Sequence, residues 1–319
     1  MATKLEISQL DFDGIKDNLK TFLSQQDEFT DYNFEGSGMN ILLDVLAYNT
    51  HYLGYNANML ANEMYLDSAD QRSSVVSLAK QVGYTPRSST SSQATIDVVV
   101  NNASGPSLTM SRGTKFTSTV DGTNYSFVAN ADVSISPADG VYKFSNIVIY
   151  EGTYLNYKYT ANTSDTDQRF IIPNDDVDTN TLTVKVQESA SDSTTNTYTL
   201  ASGVTGIDST SKVFFLQEVE NGRFEVYFGD GVLGESIKDG NIVILDYITC
   251  NRDEPNGAQT FTLSGSVGGF SNVTITTLGT AAGGDDPETI KSIKYNAPRD
   301  YTAQDRAVTA DDYKVLVKS

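Results

Sequence analysis

The spacing of apolar residues divides the chain into three zones. In residues 1–86 apolar side chains recur at the spacing of an amphipathic helix. Residues 87–278 instead alternate apolar and polar side chains, as strands with one buried face do. Helical spacing returns in residues 279–319. We therefore expect an α+β protein with an N-terminal helical domain, a central β-rich domain and the start of a C-terminal α/β module.

The longest helix is predicted after the break at Gly36–Gly38, with Ser37 as its N-cap. Apolar side chains cover so wide a part of this helix that a small helical hairpin cannot bury them. They must pack on another helix, on the next domain or on another chain, and burial within the chain is as well supported as contact with a partner. The candidate contact residues are Leu42, Leu46, Tyr48, Tyr52, Leu53 and Leu60.

Two shorter helices are also predicted. One is bounded by a capping-box pair, Ser68 and Gln71, and by Gly83. The other has Asp286 as its cap and ends at Pro298. The chain then stops inside a further helix whose apolar stripe has only begun. We therefore expect a piece of a longer protein, or a module that another chain completes.

The central zone predicts a sheet protein. Alternating segments are centred on Val98, Val184 and Val226, and turn residues separate them. Residues 242–250 are apolar on both faces, which indicates a central strand. The lone cysteine, Cys250, cannot form an internal disulfide, and we expect it in or near the core. We expect an antiparallel β-sandwich or barrel-like module, or two such modules.

Composition and charge narrow the classes of partner. The chain carries 22 Lys and Arg against 41 Asp and Glu, a formal net charge of −19, and no basic run. The negative electrostatic field of such a chain repels phosphate backbones, so we expect no nucleic-acid partner. No apolar stretch reaches the roughly 18 residues of a membrane span, and the first residues lack the apolar core of a signal peptide. We expect no membrane partner and assembly in a cytoplasm.

Catalytic and zinc chemistry have little support. His51 is the one histidine, it lies on a helix rich in aromatics, and no Ser-His-Asp or Cys-His set can be assembled around it locally. A zinc site would need further nitrogen or sulfur ligands, and only Cys250 is available. Paired carboxylates of a glycoside hydrolase stay open, because nothing selects two among 41 acids. We expect no catalytic residue, cofactor or metal.

Two loops only superficially resemble ligand sites. Asp176, Asp178 and Asn180 have the spacing of a calcium loop, but Thr181 replaces its glycine and Gln187 its bidentate glutamate. A polar turn before a strand is the better interpretation.

The second loop is the glycine-rich stretch at 227–234. It lacks the Lys-Ser/Thr pair of a phosphate-binding loop, and its Asp230-Gly231 pair follows an alternating strand. We expect Gly229, Asp230, Gly231 and Gly234 to fix a turn between strands.

Four segments, at 31–69, 71–94, 224–258 and 283–317, resemble one family in their order and spacing. A β segment with SRGTKF at 111–116 follows the second, and the fourth contains the most specific run, APRDYTAQDRAVTADDY. Together they resemble the gene-product-six baseplate wedge proteins of T-even-type phages. These belong with the broader baseplate J-like family of contractile tails and injection machines.

The resemblance implies a structural scaffold subunit of a contractile-tail baseplate wedge, with no enzymatic activity. It implies that wedges join into a ring around the tail hub and rearrange on sheath contraction. The implied partners are a second copy, other wedge proteins, neighbouring wedges and the hub. The implied location is the virion tail baseplate, assembled in the host cytoplasm. The family suggests a further C-terminal segment that holds copies together, whereas this sequence ends at Ser319.

The fourth segment supplies further contact candidates. They could form ion pairs that set the angle between modules, or they could be solvated helix-end charges worth under about 1 kcal/mol each. These residues are Arg299, Arg306, Asp311, Asp312 and Tyr313.

Two other function classes remain. A carbohydrate-binding or adhesin-like tail protein fits the Tyr- and Asn-rich turns, although the helical ends of the chain argue against it. A hydrolase of host surface polymers is supported only by the abundance of acids.

Overall fold

The structure is a computed structural model, and it describes residues 11–25, 35–166, 168–201 and 206–303. The described residues form two compact units. One is helical and combines residues up to Tyr84 with residues from Ile290 onward. The other spans Thr85–Thr289 and is built of strands. The predicted α+β class is confirmed.

The helical unit contains α1 (Phe12–Leu23), α2 (Gly38–Glu63), α3 (Arg72–Gln81) and α4 (Ile290–Ala303). Ser37 is the N-cap of α2, as predicted, and its hydroxyl accepts the N–H of Asn40 at 3.0 Å. That bond satisfies one of the amide groups that a helix start leaves without an internal partner. The long helix therefore begins at a defined residue.

One side of α2 packs on α1. Ile15 of α1 is buried, and so are Leu43 and Ala47 of α2. Lys16 and Asp44 add an ion pair of 2.5 Å between the two helices. α2 therefore buries one of its sides, and its other side is exposed to solvent.

A second helical core joins α3 to α4. Val75 and Ala79 of α3 pack with Ile293 and Ala297 of α4 in one buried cluster. Two expectations for α4 are wrong. The helix begins at Ile290 instead of at Asp286, and it continues through Pro298. Burial of Ile293 and Ala297 favours a helix on this stretch despite the hydrogen bond that proline removes.

The predicted capping box of α3 is also wrong. Gln71 is the N-cap and makes no side-chain cap bond, while the Ser68 hydroxyl donates to the carbonyl of Asn62. The carboxylate of Glu63, the last residue of α2, accepts the N–H of Asp70 at 2.8 Å. A side chain of the preceding helix thus takes the place of the local cap, whereas Gly83, at φ +80°, lies just after the end of α3, where the sequence predicts that the helix stops.

The β unit contains fifteen described strands. They are β1 (Gln93–Val100), β2 (Leu108–Met110), β3 (Lys115–Val120), β4 (Thr123–Ala129), β5 (Val133–Ile135), β6 (Tyr142–Glu151), β7 (Thr153–Thr160), β8 (Phe170–Ile171), β9 (Val177–Gln187), β10 (Thr195–Leu200), β11 (Val213–Glu218), β12 (Phe224–Phe228), β13 (Ile242–Thr249), β14 (Thr262–Ser264) and β15 (Val273–Ala282).

These strands form two large sheets and one small one. The first sheet has the order β14-β3-β4-β6-β1-β15, the second has the order β7-β13-β9-β10-β11-β12-β8, and β2 pairs with β5. Pairings between these strands are antiparallel, with the exception of β10 and β11, which run parallel. As predicted, the strand that is apolar on both faces, β13, is central, because β7 and β9 flank it.

Each large sheet has its own apolar core. Phe116, Phe127 and Phe144 fill the first, and Val226 and Leu245 lie in the second. The second sheet also curls on itself, although β7 and β8 stand at opposite ends of its strand order. Tyr159 of β7 donates its hydroxyl proton to the carbonyl of Ile171 in β8 at 2.5 Å. The curled sheet agrees with the predicted barrel-like module.

Candidate interaction surface

The apolar side of α2 that faces away from α1 is exposed. The six predicted contact residues, which we call the α2 face, range from 45% exposed for Leu46 to 65% for Leu60. Leu43 and Ala47, on the same helix, are buried. Large contiguous apolar areas are rare on the surfaces of monomeric proteins, and where they occur they commonly mark an interaction site. The structure thus leaves the α2 face available for a partner, and whether a partner binds it stays a prediction.

The exposed area extends beyond the α2 face. Further large apolar side chains along the helix and just after it are also exposed, namely Ile41, Val45, Tyr55, Met59, Met64 and Tyr65. Such a run follows the whole helix instead of forming an isolated spot. A partner that matches it would itself be elongated, as another helix is.

Two tyrosines make the centre of the α2 face stiff. The rings of Tyr48 and Tyr52 lie 4.7 Å apart, and the Tyr48 hydroxyl bonds that of Tyr52 at 3.1 Å. This bond raises the pKa of Tyr48, so its phenol stays neutral and suited to an apolar contact. His51 stands edge-on to Tyr52 at 6.4 Å, as part of the same aromatic group.

The structure describes one of the contact candidates of the fourth segment. The guanidinium of Arg299 lies 3.5 Å from the centre of the Tyr295 ring and donates to the carbonyl of Tyr295 at 2.6 Å. Arg299 is therefore engaged with its own helix. The remaining candidates lie outside the described residues, and their role stays a prediction. They are Arg306, Asp311, Asp312 and Tyr313.

The junction of the two large sheets is the second feature that bears on function. We call it the seam, the region where β6 gives way to β7 beside the end of β13. Gly152 connects β6 and β7 at φ +127°, and a Cβ there would lie 2.1 Å from the carbonyl oxygen of Thr249. Only glycine permits this approach, so the two sheets meet backbone to backbone.

Buried carboxylates are bonded across the seam. The two oxygens of Glu151 accept the backbone N–H of Asn251 at 2.9 Å and its side-chain amide at 2.7 Å. Asp178 accepts the N–H groups of Ser91 at 2.9 Å and of Asn180 at 3.0 Å. Burial raises the pKa of both carboxyls, and these hydrogen bonds offset part of the rise. Because a buried carboxylate needs such partners, the bonds fix one arrangement of the sheets.

Arg112 joins the sheets from the other side. Its guanidinium donates to the carbonyl of Thr181 at 2.9 Å and to the side chain of Asn130 at 2.7 Å. It also lies 4.9 Å from the centre of the Tyr154 ring and 3.7 Å from the carboxylate of Asp246. Arg112 is in the SRGTKF segment, where the sequence pattern gave it no role. Its partners are far along the chain, so local spacing carries no signal of them.

Asp246 is a buried hub on β13. Its carboxylate accepts the hydroxyl of Tyr154 at 2.8 Å and the amide of Asn156 at 2.6 Å, and it pairs with Lys185 at 3.3 Å. Burial pushes its pKa up, but these bonds and the Lys185 charge outweigh burial and lower it. The side chain is thus ionised and bonded, which is the condition under which a buried charge is tolerated.

The residues with calcium-loop spacing are engaged by protein groups. The Asp176 carboxylate forms an ion pair with Arg252 at 2.5 Å, and Asp178 is bonded within the seam. Within the described residues, no three His, Cys, Asp or Glu side chains gather as a metal site requires.

A polar cleft of about 440 Å³ opens at the seam, and Cys250 is among its lining residues. As expected, Cys250 is buried, and burial raises its pKa to about 11.

The glycine-rich stretch forms a turn, as predicted. Asp230 accepts the N–H groups of Val232 at 2.9 Å and of Leu233 at 3.0 Å. Gly231 and Gly234 have φ of +86° and +90°, the region that glycine enters at little cost.

The described helices do not include one with the length and apolar content of a bilayer span.

Comparison with known proteins identifies the family. Residues 11–84 match the helical domain of gp6-like baseplate wedge proteins, and residues 157–256 match the third domain of bacteriophage baseplate wedge protein gp6. Baseplate wedge protein gp6 of Enterobacteria phage T4 is 30% identical over 336 aligned residues, 96% of this chain and 49% of that protein. The chain belongs to the gp6-type baseplate wedge family. The resemblance stated from the sequence is confirmed.

The wedge-family matches fall on both features described above. The helical-domain match contains α1, α2 and α3, and therefore the α2 face. The third-domain match contains most of the second sheet, including Asp246 and the turn at Asp230. The chain spans about half the length of the T4 relative.

A solved structure is also similar. It is a chain of the cryo-EM structure of the anti-feeding prophage baseplate, at a TM-score of 0.36 and 10% identity, covering 100% of this wedge-family chain and 65% of that chain. A TM-score this low does not establish a shared fold.

Proposed function

We propose that this chain is a structural subunit of a phage tail baseplate wedge, which holds neighbouring subunits at fixed positions. It binds another elongated apolar surface through the α2 face, while its β unit is a stiff element with contacts of its own. This work needs no catalytic residue. The observation that carries the proposal is the exposure of the α2 face on a helix whose opposite side is buried.

The energetics of the α2 face support a partner. Each fully buried leucine contributes roughly 1.5–3 kcal/mol relative to an exposed one. Several such side chains lie together in water on α2. Burying them against another helix would release that free energy, as in helix-in-groove recognition.

The contacts at the seam support a role of the β unit as a rigid element of the scaffold. Gly152 brings the sheets into direct contact, and Glu151 and Arg112 are bonded to the opposite side. Moving one sheet against the other would leave these buried charges without their hydrogen-bond partners, which costs several kcal/mol in typical proteins. A scaffold that transmits position needs such a stiff element.

The wider assembly follows the family resemblance. We propose that the chain associates with a second copy and with other wedge proteins, that wedges join into a ring around the tail hub, and that the ring rearranges when the sheath contracts. Its place is the virion tail baseplate, and it assembles in the host cytoplasm.

A charge placed on the α2 face tests the proposal. We expect Leu46→Asp or Leu53→Asp to block incorporation into baseplates, because a carboxylate would have to be desolvated in the contact. Both side chains are exposed, so the isolated chain should keep its fold. The measurement is the amount of this chain in purified particles from infected cells that supply only the variant.

Asn18→Asp is the matched control. It adds the same charge to an exposed polar position of the neighbouring helix α1, outside the α2 face, and should leave incorporation unchanged. If the two leucine variants fold, are incorporated normally and give infectious particles, the α2 face is not a contact surface and the proposal is wrong.

A further inference from the structure

The turn after β12 holds large apolar side chains in solvent. Val232 is 71% exposed, the highest value among the large apolar side chains of the described residues, and Leu233 is 43% exposed. Leu200, 54% exposed, lies at the same end of the second sheet, because it pairs with Phe214, which pairs with Phe228 just before the turn. We call Leu200, Val232 and Leu233 the apolar tip.

Hydrogen bonds within the turn fix the backbone of the tip. Asp230 caps the N–H groups of Val232 and Leu233, and the N–H of Gly231 donates to the carbonyl of Gly234 at 3.1 Å. A Cβ on Gly229 would lie 2.2 Å from the carbonyl oxygen of Leu233. The turn is therefore closed tightly, and its two apolar side chains project from a defined frame.

A second turn braces the first. The Asp208 carboxylate accepts the N–H of Thr210 at 2.9 Å and the hydroxyl of Ser211 at 2.9 Å. The Asp208 carbonyl accepts the N–H of Gly234 at 3.0 Å, and that of Ser211 accepts the N–H of Glu235 at 2.8 Å. A loop ordered before binding loses little conformational entropy when it docks, so this geometry favours recognition.

Acidic groups frame the tip. Bonds from Thr210 and Ser211 lower the pKa of Asp208, and the N–H groups of Leu233 and Val232 lower that of Asp230. Both carboxylates are thus ionised at neutral pH. The nearby cation Lys212 is bonded to the side chain of Asn196 at 2.7 Å. An apolar tip between carboxylates fits an apolar pocket that is bordered by cations.

We propose that the apolar tip docks into an apolar pocket bordered by Lys and Arg on a baseplate protein other than this chain. The inference rests on the proposed function, since it names one partner surface of the scaffold. A second copy is a poor occupant of this tip, because a contact between two tips would place two acidic frames against each other. A rigid apolar projection with a charged border has the composition of an interface centre with its polar rim.

The test removes the apolar atoms and keeps the turn. The full chain carrying Val232→Ser and Leu233→Ser is measured by biolayer interferometry against each of the other baseplate proteins of the same phage, purified one at a time. We expect one protein to bind the wild type and to bind the double variant about 10-fold or more weakly. Its binding to the wild type should weaken as NaCl is raised.

Two further variants separate the causes. Val141→Ser removes an apolar side chain that is 46% exposed in the turn just before β6 of the first sheet, and it should leave binding unchanged. Asp230→Ala keeps the apolar side chains but unlocks the turn, and we expect an intermediate loss of about 3-fold. If the double variant shows an altered circular dichroism spectrum, Leu200→Ser on β10 probes the same tip without touching the turn.

The outcomes are distinct. If a baseplate protein binds the wild type and every tip variant equally well, the inference is wrong while the proposed function stands. If the tip variants change only self-association in sedimentation, a second copy is the occupant and the inference is wrong. If the wild type binds none of the baseplate proteins, both the inference and the proposed function fail.

Discussion

At the scale of single residues, the seam shows how buried charges specify an arrangement. Arg112, Glu151 and Asp246 are each largely buried and each bonded to residues far along the chain. Replacing such groups by apolar side chains of similar size is often neutral for stability, so their presence is not evidence of a stability gain. Their effect is selective, because only one placement of the sheets satisfies all of them.

The pH dependence of stability tests Glu151. Burial raises its pKa above the ordinary value near 4.5, with a contribution from Glu254 and partial compensation by Asn251. The folded chain thus binds this proton more tightly than the unfolded chain does. The ionised carboxylate therefore costs stability at neutral pH, and the cost disappears as the pH falls through the folded-state pKa towards 4.5.

We expect Glu151→Gln to abolish this contribution. As the pH is lowered from 7 towards the ordinary pKa near 4.5, the free energy of unfolding of the wild type should rise relative to that of the variant. Urea unfolding at several pH values measures this difference. Asp246→Asn should show the opposite trend at lower pH. Because the folded-state pKa of Asp246 is lowered, the wild type should lose stability relative to this variant as the pH falls through the ordinary value near 3.8. A difference between wild type and Glu151→Gln that does not change with pH would contradict the assignment.

At the scale of elements, α2 is a helix with two different apolar sides. Leu43 and Ala47 are buried against α1, whereas the α2 face lies in solvent. Periodicity identified the helix and its width, but both sides are apolar, so the pattern could not say which one the chain buries. The contact with α1 decides that, and Ser37 fixes where the helix begins.

The N-cap of α2 can be tested alone. We expect Ser37→Ala to lower the free energy of unfolding of the helical unit by about 1 kcal/mol, because the N–H of Asn40 loses its acceptor in a buried site. Thr50→Ala, which removes an exposed hydroxyl bonded within the same helix, is the control and should have a smaller effect. Denaturant unfolding followed by circular dichroism measures both, and equal losses would argue against a special role of the cap.

At the scale of the whole molecule, residues distant in sequence complete the helical unit. Ile293 and Ala297 of α4 lie in one core with α3, and the β unit occupies the sequence between them. The chain therefore leaves the helical unit at Tyr84 and returns to it at Ile290. Domain boundaries drawn along the sequence, at residues 86 and 278, stay predictions.

Truncating Ile293 tests this return. Ile293→Ala should destabilise the helical unit by about 2–5 kcal/mol, because it empties a fully buried site. Hydrogen exchange should accelerate in α3 and stay unchanged in β13, which belongs to the other unit. Faster exchange in both, or in neither, would show that α4 does not complete a separate core.

The sequence by itself determined the element types, the family and the turn at Asp230. Helical and strand periods, the DG pair and the ordered segments are local signals, and local geometry follows from neighbouring residues. It also marked the α2 face, since a stripe that wide exceeds what one hairpin buries. Its errors at Ser68 and Asp286 arose because Glu63 and the start of α4 depend on contacts outside the local window.

The tertiary structure alone decided which apolar side is exposed and which residues meet at the seam. Arg112 bonds Thr181, Glu151 bonds Asn251, and α3 packs on α4, all across long stretches of chain. Such partners leave no periodic trace in a single sequence, because a hydrogen bond between distant residues constrains neither spacing nor local propensity. The same is true of the apolar tip, whose exposure follows from two turns that brace each other.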